Sequence, residues 1–164
     1  MDTSLPSPRG KHLVKRVVVA VLFTQLAALS ALVVTPELDG WFATLRRPSF
    51  APPNWLFAPV WTVLYLLMGL AAGLVWAQLE ARTVRPALKL YIAQWALNAL
   101  WSVVFFGLHA PAFALVVIVA LWVLIVLTMR AFFPIRRLAG WLLVPYLLWV
   151  SFAALLNAGY MALN

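Results

Sequence analysis

Apolar residues in this chain fall into five long runs, and prolines mark most of the places where the runs begin or end. The runs cover residues 17–34, 57–79, 86–106, 111–133 and 138–163. A helix needs about 20 predominantly apolar residues to cross the hydrocarbon core of a bilayer. Each run is therefore predicted to be a membrane-spanning helix. Pro36 is expected to stop the first span and Pro134 the fourth, because proline is tolerated in a first helical turn but not in the interior. Pro59 falls in the first turn of the second span, and the third and fourth spans follow Pro86 and Pro111. Pro145 lies inside the fifth, where it should free the carbonyl of Trp141 and kink the helix.

The segment between the first two spans reads differently. Residues 41–65, WFATLRRPSFAPPNWLFAPVWTVLY, hold three tryptophans, three phenylalanines and four prolines. Proline breaks helices, and aromatic rings favour the boundary between water and lipid. The pattern predicts a stiff, ring-rich loop that closes over a helix bundle.

Helical spacing gathers rings and polar tips on three faces. Trp61, Tyr65, Met68 and Ala72 share one face of the second span. Asn98, Trp101, Ser102 and Phe105 share one of the third, and Tyr146, Trp149, Ala153 and Asn157 one of the fifth. Polar side chains are expensive in lipid and should turn inward, where three such faces would line a cavity under the loop. Periodicity alone favours a plainer reading: an interfacial aromatic belt, with Asn98 and Asn157 bonded across helices. The fourth span is almost wholly aliphatic apart from Thr128, and reads as lipid-facing or structural. Gly69 and Gly73 form a GxxxG pair that allows close helix packing, inside the bundle or across a dimer. Ala20, Thr24 and Ala28 give the first span a similar small face.

Composition agrees with the pattern. Of 164 residues, 66% are hydrophobic and only 10% charged, against about 25% in soluble domains. The fold class is an all-α integral membrane protein, a five-transmembrane-helix bundle. It divides into a basic amino-terminal tail, residues 1–12, and a single membrane domain, residues 13–164. The first apolar run exceeds the usual 7–15 residues of a signal peptide, so it reads as a span. There is no internal repeat, and five spans do not form two equal halves, which disfavours an inverted-repeat transporter.

The net charge of +8 fixes an orientation. Arg9, Lys11, Lys15, Arg16, Arg82, Arg85, Lys89, Arg130, Arg136 and Arg137 fall on one side of a five-span topology, and only Arg46 and Arg47 on the other. The positive-inside bias puts the amino terminus in the cytoplasm and the carboxyl terminus and aromatic loop outside. The cations are scattered between apolar runs, so their expected partners are anionic lipid headgroups and not nucleic acid.

Reactive chemistry is sparse. The chain has no cysteine, and its two histidines, His12 and His109, are far apart. No metal site is expected from them. The acidic residues Asp2, Glu37, Asp39 and Glu80 all lie outside the span interiors, which argues against an ion-driven pump. No nucleophile–base constellation and no phosphate-binding glycine loop is present. What remains is binding chemistry made of rings, amides and hydroxyls.

Three segments, the loop quoted above, AQWALNALWSVVFFG and GWLLVPYLLWVSFAALLN, resemble the TspO/MBR family of tryptophan-rich sensory and translocator proteins. The resemblance covers nearly the whole chain from the first span onward. It implies a five-helix bundle, often a homodimer, that needs no cofactor and binds tetrapyrroles such as protoporphyrin IX or haem as ligands. Carried onto this sequence, the ligand site would comprise Trp41, Phe42, Pro52, Phe57, Trp61, Tyr65, Asn98, Trp101, Ser102, Phe105, Trp149 and Ala153. Arg46 and Arg47 would contact porphyrin propionates or anchor lipid headgroups. The resemblance implies a membrane receptor or sensor, and the basic tail, which lacks transit-peptide character, favours a bacterial cell membrane. A porphyrin transporter and a porphyrin-degrading enzyme are its alternatives. The sterol motif of cholesterol-binding relatives, a tyrosine followed by a basic residue, is incomplete here, since nothing basic follows Tyr160.

Overall fold

The structure, a computed structural model, describes residues 10–78 and 82–164. The expected tail falls outside these residues up to position 9, as does Glu80. Five helical segments are long and apolar enough to cross a membrane: His12–Asp39, Asn54–Trp76, Val84–Gly107, Pro111–Ile135 and Arg137–Leu163. Among the described residues there are no strands. The protein is an all-α, five-span integral membrane protein.

The first span is not one continuous α-helix. It consists of α1 (Gly10–Gln25), a 3-10 stretch (Leu26–Ser30) and α2 (Ala31–Asp39). Pro36 was expected to end it, yet α2 runs through Pro36 to Asp39. A proline ring removes one intrahelical bond, and here it costs that bond without ending the helix, with Pro36 itself exposed. A short helix α3 (Trp41–Thr44) follows Gly40. The proline-rich stretch then leads into a 3-10 turn (Asn54–Leu56) and α4 (Phe57–Trp76), the second span.

The third span is α5 (Val84–Ser102) continued by a π-helical turn, Val103–Gly107. The amide of Leu108 closes that turn on the carbonyl of Val103 at 2.9 Å. The fourth span is α6 (Pro111–Ile135). The fifth is broken where Pro145 had suggested a kink: α7 (Arg137–Leu142) and α8 (Val144–Leu163) meet at Leu143, with Pro145 in the first turn of α8.

Packing arranges the spans in a ring. The first lies against the second, the second against the fifth, the fifth against the fourth, the fourth against the third, and the third closes on the first. Neighbours in sequence are therefore not always the main neighbours in space, and α4 packs chiefly on the first and fifth spans. The tightest seam runs between α1 and α4. A Cβ on Gly69 would lie 2.5 Å from the Cα of Val21, and one on Gly73 2.5 Å from the Cα of Val17. The GxxxG pair is thus filled from inside the bundle. Arg16 caps this seam by donating to the carbonyl of Ala77 at 3.2 Å, as cations do at helix C-termini.

The other face of the first span turns to α5. The Thr24 hydroxyl donates to the Ala20 carbonyl at 2.7 Å and therefore accepts from the buried Tyr91 hydroxyl. The fourth span is not purely lipid-facing. Ala114, Ile118, Leu121, Ile125, Thr128 and Phe132 bury one stripe, at alternating spacings of four and three that match a packed helix face. Phe113, Val116, Val119 and Val123 form its exposed, lipid-directed side.

Because Gly69 and Gly73 meet backbone rather than flexible side chains, Gly69→Ala and Gly73→Ala should each destabilise the protein by about 1–3 kcal/mol, the usual cost of overpacking. Thermal unfolding in detergent micelles measures this, and sedimentation should show the oligomeric state unchanged.

Candidate ligand cavity

A cavity of about 270 Å³ lies under the loop that joins the first two spans. The second span supplies Phe57, Trp61 and Tyr65, spaced by four residues so that all face the same way. The third supplies Trp101, Ser102, Phe105 and Phe106. The π-turn begins directly after Ser102, and its wider backbone lets the adjacent Phe105 and Phe106 both be buried. Such turns recur at functional sites because they re-aim side chains. The fifth span supplies Trp149, Ala153, Leu156, Asn157 and Tyr160, and no residue of α6 takes part.

Rings define the shape of the cavity. Trp101 lies against Phe105 at 5.5 Å, Trp61 against Tyr65 at 5.3 Å, and Phe57 meets Trp149 edge-on at 5.9 Å. Phe42 is buried in the roof, where it packs on Phe106 at 5.3 Å and Tyr160 at 5.0 Å. Aromatic pairs of this kind add about 0.5–1.5 kcal/mol each beyond burial.

Polar groups fix the walls. Trp101 Nε1 donates to Asn157 Oδ1 at 3.1 Å, and Asn157 Nδ2 donates to the carbonyl of Pro111 at 2.8 Å. One amide thus ties the third, fourth and fifth spans together. The Tyr65 hydroxyl donates to Asn98 Oδ1 at 2.9 Å across the second and third spans. Among the described residues, no Lys, Arg, His, Asp or Glu lines the cavity.

The roof is seated by several contacts. Gly159 leaves room for the loop, since a Cβ there would come within 2.9 Å of the Pro48 ring. The Asn164 side chain accepts from the Arg46 amide at 2.8 Å and donates to the Arg46 carbonyl at 3.2 Å. Trp41 stacks on His109 at 4.4 Å, and His109 Nε2 lies 3.0 Å from Glu37 Oε2. His109 is the one non-glycine residue with positive φ among those described, at 51°.

The structure brings together nine of the twelve expected ligand-site residues: Phe42, Phe57, Trp61, Tyr65, Trp101, Ser102, Phe105, Trp149 and Ala153 line this cavity. Others lie elsewhere. Asn98 sits behind the wall and holds Tyr65. Trp41 lies over the roof on His109. Pro52 lends its carbonyl to Arg47 at 2.7 Å, and neither Arg46 nor Arg47 lines the cavity. Gly69 and Gly73 belong to the α1–α4 seam. A whole wall went unseen in the sequence: Ala28, Ser30, Val34, Thr35 and Leu38 of the first span. Ser30, a polar residue deep in an apolar run, was its one signal. Asn54, which begins the turn before α4, was also missed.

A sequence model of the TspO/MBR family matches residues 17–163. The tryptophan-rich sensory protein of Cereibacter sphaeroides is 46% identical over 102 residues, which is 60% of this chain and 63% of that protein. The human translocator protein is 39% identical over 103 residues, 59% of this chain and 61% of that protein. Protein CrtK of Rhodobacter capsulatus is 36% identical over 100 residues, 60% of this chain and 62% of that protein. The chain is matched over roughly three-fifths of the length of these relatives.

Asn157→Leu would strand both the Trp101 indole and the Pro111 carbonyl. It should lower stability by about 1–3 kcal/mol, the range for an orphaned buried polar group. Chemical denaturation in mixed micelles reads the loss, with a shift of tryptophan emission as its local signature.

Proposed function

The chain belongs to the TspO/MBR family, and from that premise we propose that it is a membrane receptor that binds a flat, apolar ligand of the porphyrin type in the cavity under its first loop. The observation that carries the reading is the cavity itself, walled by Phe57, Trp61, Trp101, Phe105 and Trp149 and free of charged side chains. Pockets for small molecules are typically apolar with a few placed polar groups. The names of the relatives, a sensory protein and a translocator protein, support a receptor role.

The dimensions shape how such a ligand would sit. At about 270 Å³ the cavity is slightly below the roughly 300–1,000 Å³ of pockets that enclose drug-sized ligands. A tetrapyrrole would enter with part of its ring and displace the roof to go deeper. Its propionates would stay at the mouth, on the side of the loop that carries Arg46 and Arg47, because a carboxylate buried without a cation is strongly disfavoured. No histidine lines the cavity, and no cluster of metal-binding side chains occurs among the described residues. Metal-free protoporphyrin suits these walls better than haem.

The same walls hold no nucleophile–base pair, which favours binding over catalysis. Ten basic residues against two support a cytoplasmic amino terminus and an outward-facing cavity, with anionic lipid around the cations. In a homodimer, the contact would use faces other than Gly69 and Gly73, which Val21 and Val17 already cover.

Titration of the purified protein with protoporphyrin IX should quench tryptophan fluorescence with saturation. Trp61→Phe, Trp101→Phe and Trp149→Phe should each weaken the dissociation constant by about twofold to tenfold, the equivalent of one lost aromatic contact. Unchanged constants in all three variants would remove the cavity as the binding site.

A further inference from the structure

The cover over the cavity is held at one corner by an acid, a base and a ring. His109, in the connection between the third and fourth spans, stacks on Trp41 at 4.4 Å with an interplanar angle of 15°. Its Nε2 lies 3.0 Å from Glu37 Oε2, the one contact between acidic and basic side chains among the described residues. The three groups come from different elements: Glu37 from α2, Trp41 from α3 and His109 from the connection after the π-turn. All three adjoin the lining. Leu38 and Phe42, the next residues after Glu37 and Trp41, line the cavity, and Trp41 also meets the lining ring of Phe105 edge-on at 5.9 Å. Lifting α3 therefore separates Trp41 from His109.

The charge on His109 decides how strongly this corner holds. Histidine is the side chain that ordinarily changes charge between about pH 5 and about pH 8. A neutral ring stacks on Trp41 as one flat ring on another and gives the Glu37 carboxylate an uncharged donor at most. The imidazolium adds two attractions at once: an ion pair with Glu37 and a cation against the indole face. Both exist only while the cover is seated. A proton on His109 therefore favours the seated cover, so seating strengthens as pH falls and weakens as pH rises. The other charges around this corner do not replace it. Asp39, at the end of α2, lies beyond ion-pair distance of His109. Arg46 and Arg47 follow α3, where Asn164 holds the Arg46 backbone and the Arg47 guanidinium donates to the Pro52 carbonyl. Neither α3 nor the π-turn carries a charged side chain.

We propose that Glu37, Trp41 and His109 form a proton-operated latch on the loop that covers the cavity: protonation of His109 seats the cover, and loss of that proton frees it. The pair is within reach of solvent, since the His109 and Glu37 side chains are 42% and 27% exposed. The φ of 51° at His109 holds its ring between Trp41 and Glu37, in a backbone region that non-glycine residues seldom adopt. The latch is a property of the cover. Only its consequence, slower exchange of ligand at low pH, rests on the reading of the cavity as a ligand site.

The chain has no cysteine, so a single introduced thiol can report on the cover. Ser102 is buried and lines the cavity. In Ser102→Cys protein, held in nanodiscs of uncharged phosphatidylcholine, the rate of labelling by a membrane-impermeant thiosulfonate measures how often the cover lifts. Thiolate formation also changes this rate with pH. Each rate is therefore divided by that of protein carrying His109→Gln as well, whose latch has no proton to gain. The ratio should be near one at about pH 8 and should fall about threefold to tenfold at about pH 5, as a partly exposed ion pair and a cation–ring contact together imply. Glu37→Gln should remove most of that fall. A ratio that does not change with pH would overturn the latch, and a fall that Glu37→Gln leaves whole would overturn the role of Glu37 in it. No labelling at any pH, in either background, would mean that the cover does not lift, and would overturn the latch as well. None of these outcomes touches the ligand reading, which the porphyrin titration decides. Should the cysteine variants fail to fold, tryptophan emission takes their place. An imidazolium against the indole quenches it, so the difference between wild type and Trp41→Phe should dim as pH falls. A difference that stays constant would overturn the latch.

Discussion

Hydrocarbon offers no hydrogen bonds, so a polar group carried into the membrane must find its partner inside the protein. That constraint organises this bundle. Thr24 and Tyr91 join the first and third spans, Tyr65 and Asn98 the second and third, and Asn157 joins Trp101 of the third to Pro111 of the fourth. Each link crosses between helices, so the set fixes rotation and depth together. Individually such bonds contribute little in membranes, about 0.6 kcal/mol on average. Their effect is on specificity: a helix turned by one residue would strand several of them at once.

Close packing supplies what the polar links do not. Lipid chains are as apolar as the helices, so association depends on how nearly the backbones can approach. Gly69 and Gly73 let α1 and α4 meet at backbone distance, and this seam holds one side of the ring. Towards the loop, where the later part of the first span and Trp61, Trp101 and Trp149 line the cavity, the space is filled by large rings that cannot interdigitate as closely. The cavity follows from that contrast. Small residues close the bundle at the Arg16 end, and bulky aromatic residues hold it open under the loop.

The loop then acts as a seated cover rather than a loose connection. Pro48 fits over Gly159, Asn164 grips the backbone of Arg46, and Trp41 rests on His109. The positive φ of His109 shows a backbone held where its side chain reaches both Trp41 and Glu37. These contacts come from the fifth span and from the connection between the third and fourth, so the cover responds to elements far from it in sequence.

Hydrophobic runs of spanning length determined the five helices, and helical spacing alone placed Trp61 and Tyr65 on one face, Trp101, Ser102 and Phe105 on another, and Trp149 and Ala153 on a third. These features are local: a period of 3.6 residues and the cost of polar groups in lipid suffice to find them. Which residues opposed those faces was not local. Val34 and Leu38 read in sequence like any lipid-facing residues and Ala28 like part of a small packing face, and only the ring order of the spans turned them to the cavity. Asn98 and Trp41 looked like wall residues, but their partners Tyr65 and His109 drew them into support roles. Gly69 and Gly73 announced a close contact without saying with what, because a missing side chain carries no information about its partner. The π-turn after Ser102 and the passage of α2 through Pro36 belong to the same class. Both depend on bonds and packing that the rest of the bundle supplies, and so only the tertiary structure could decide them.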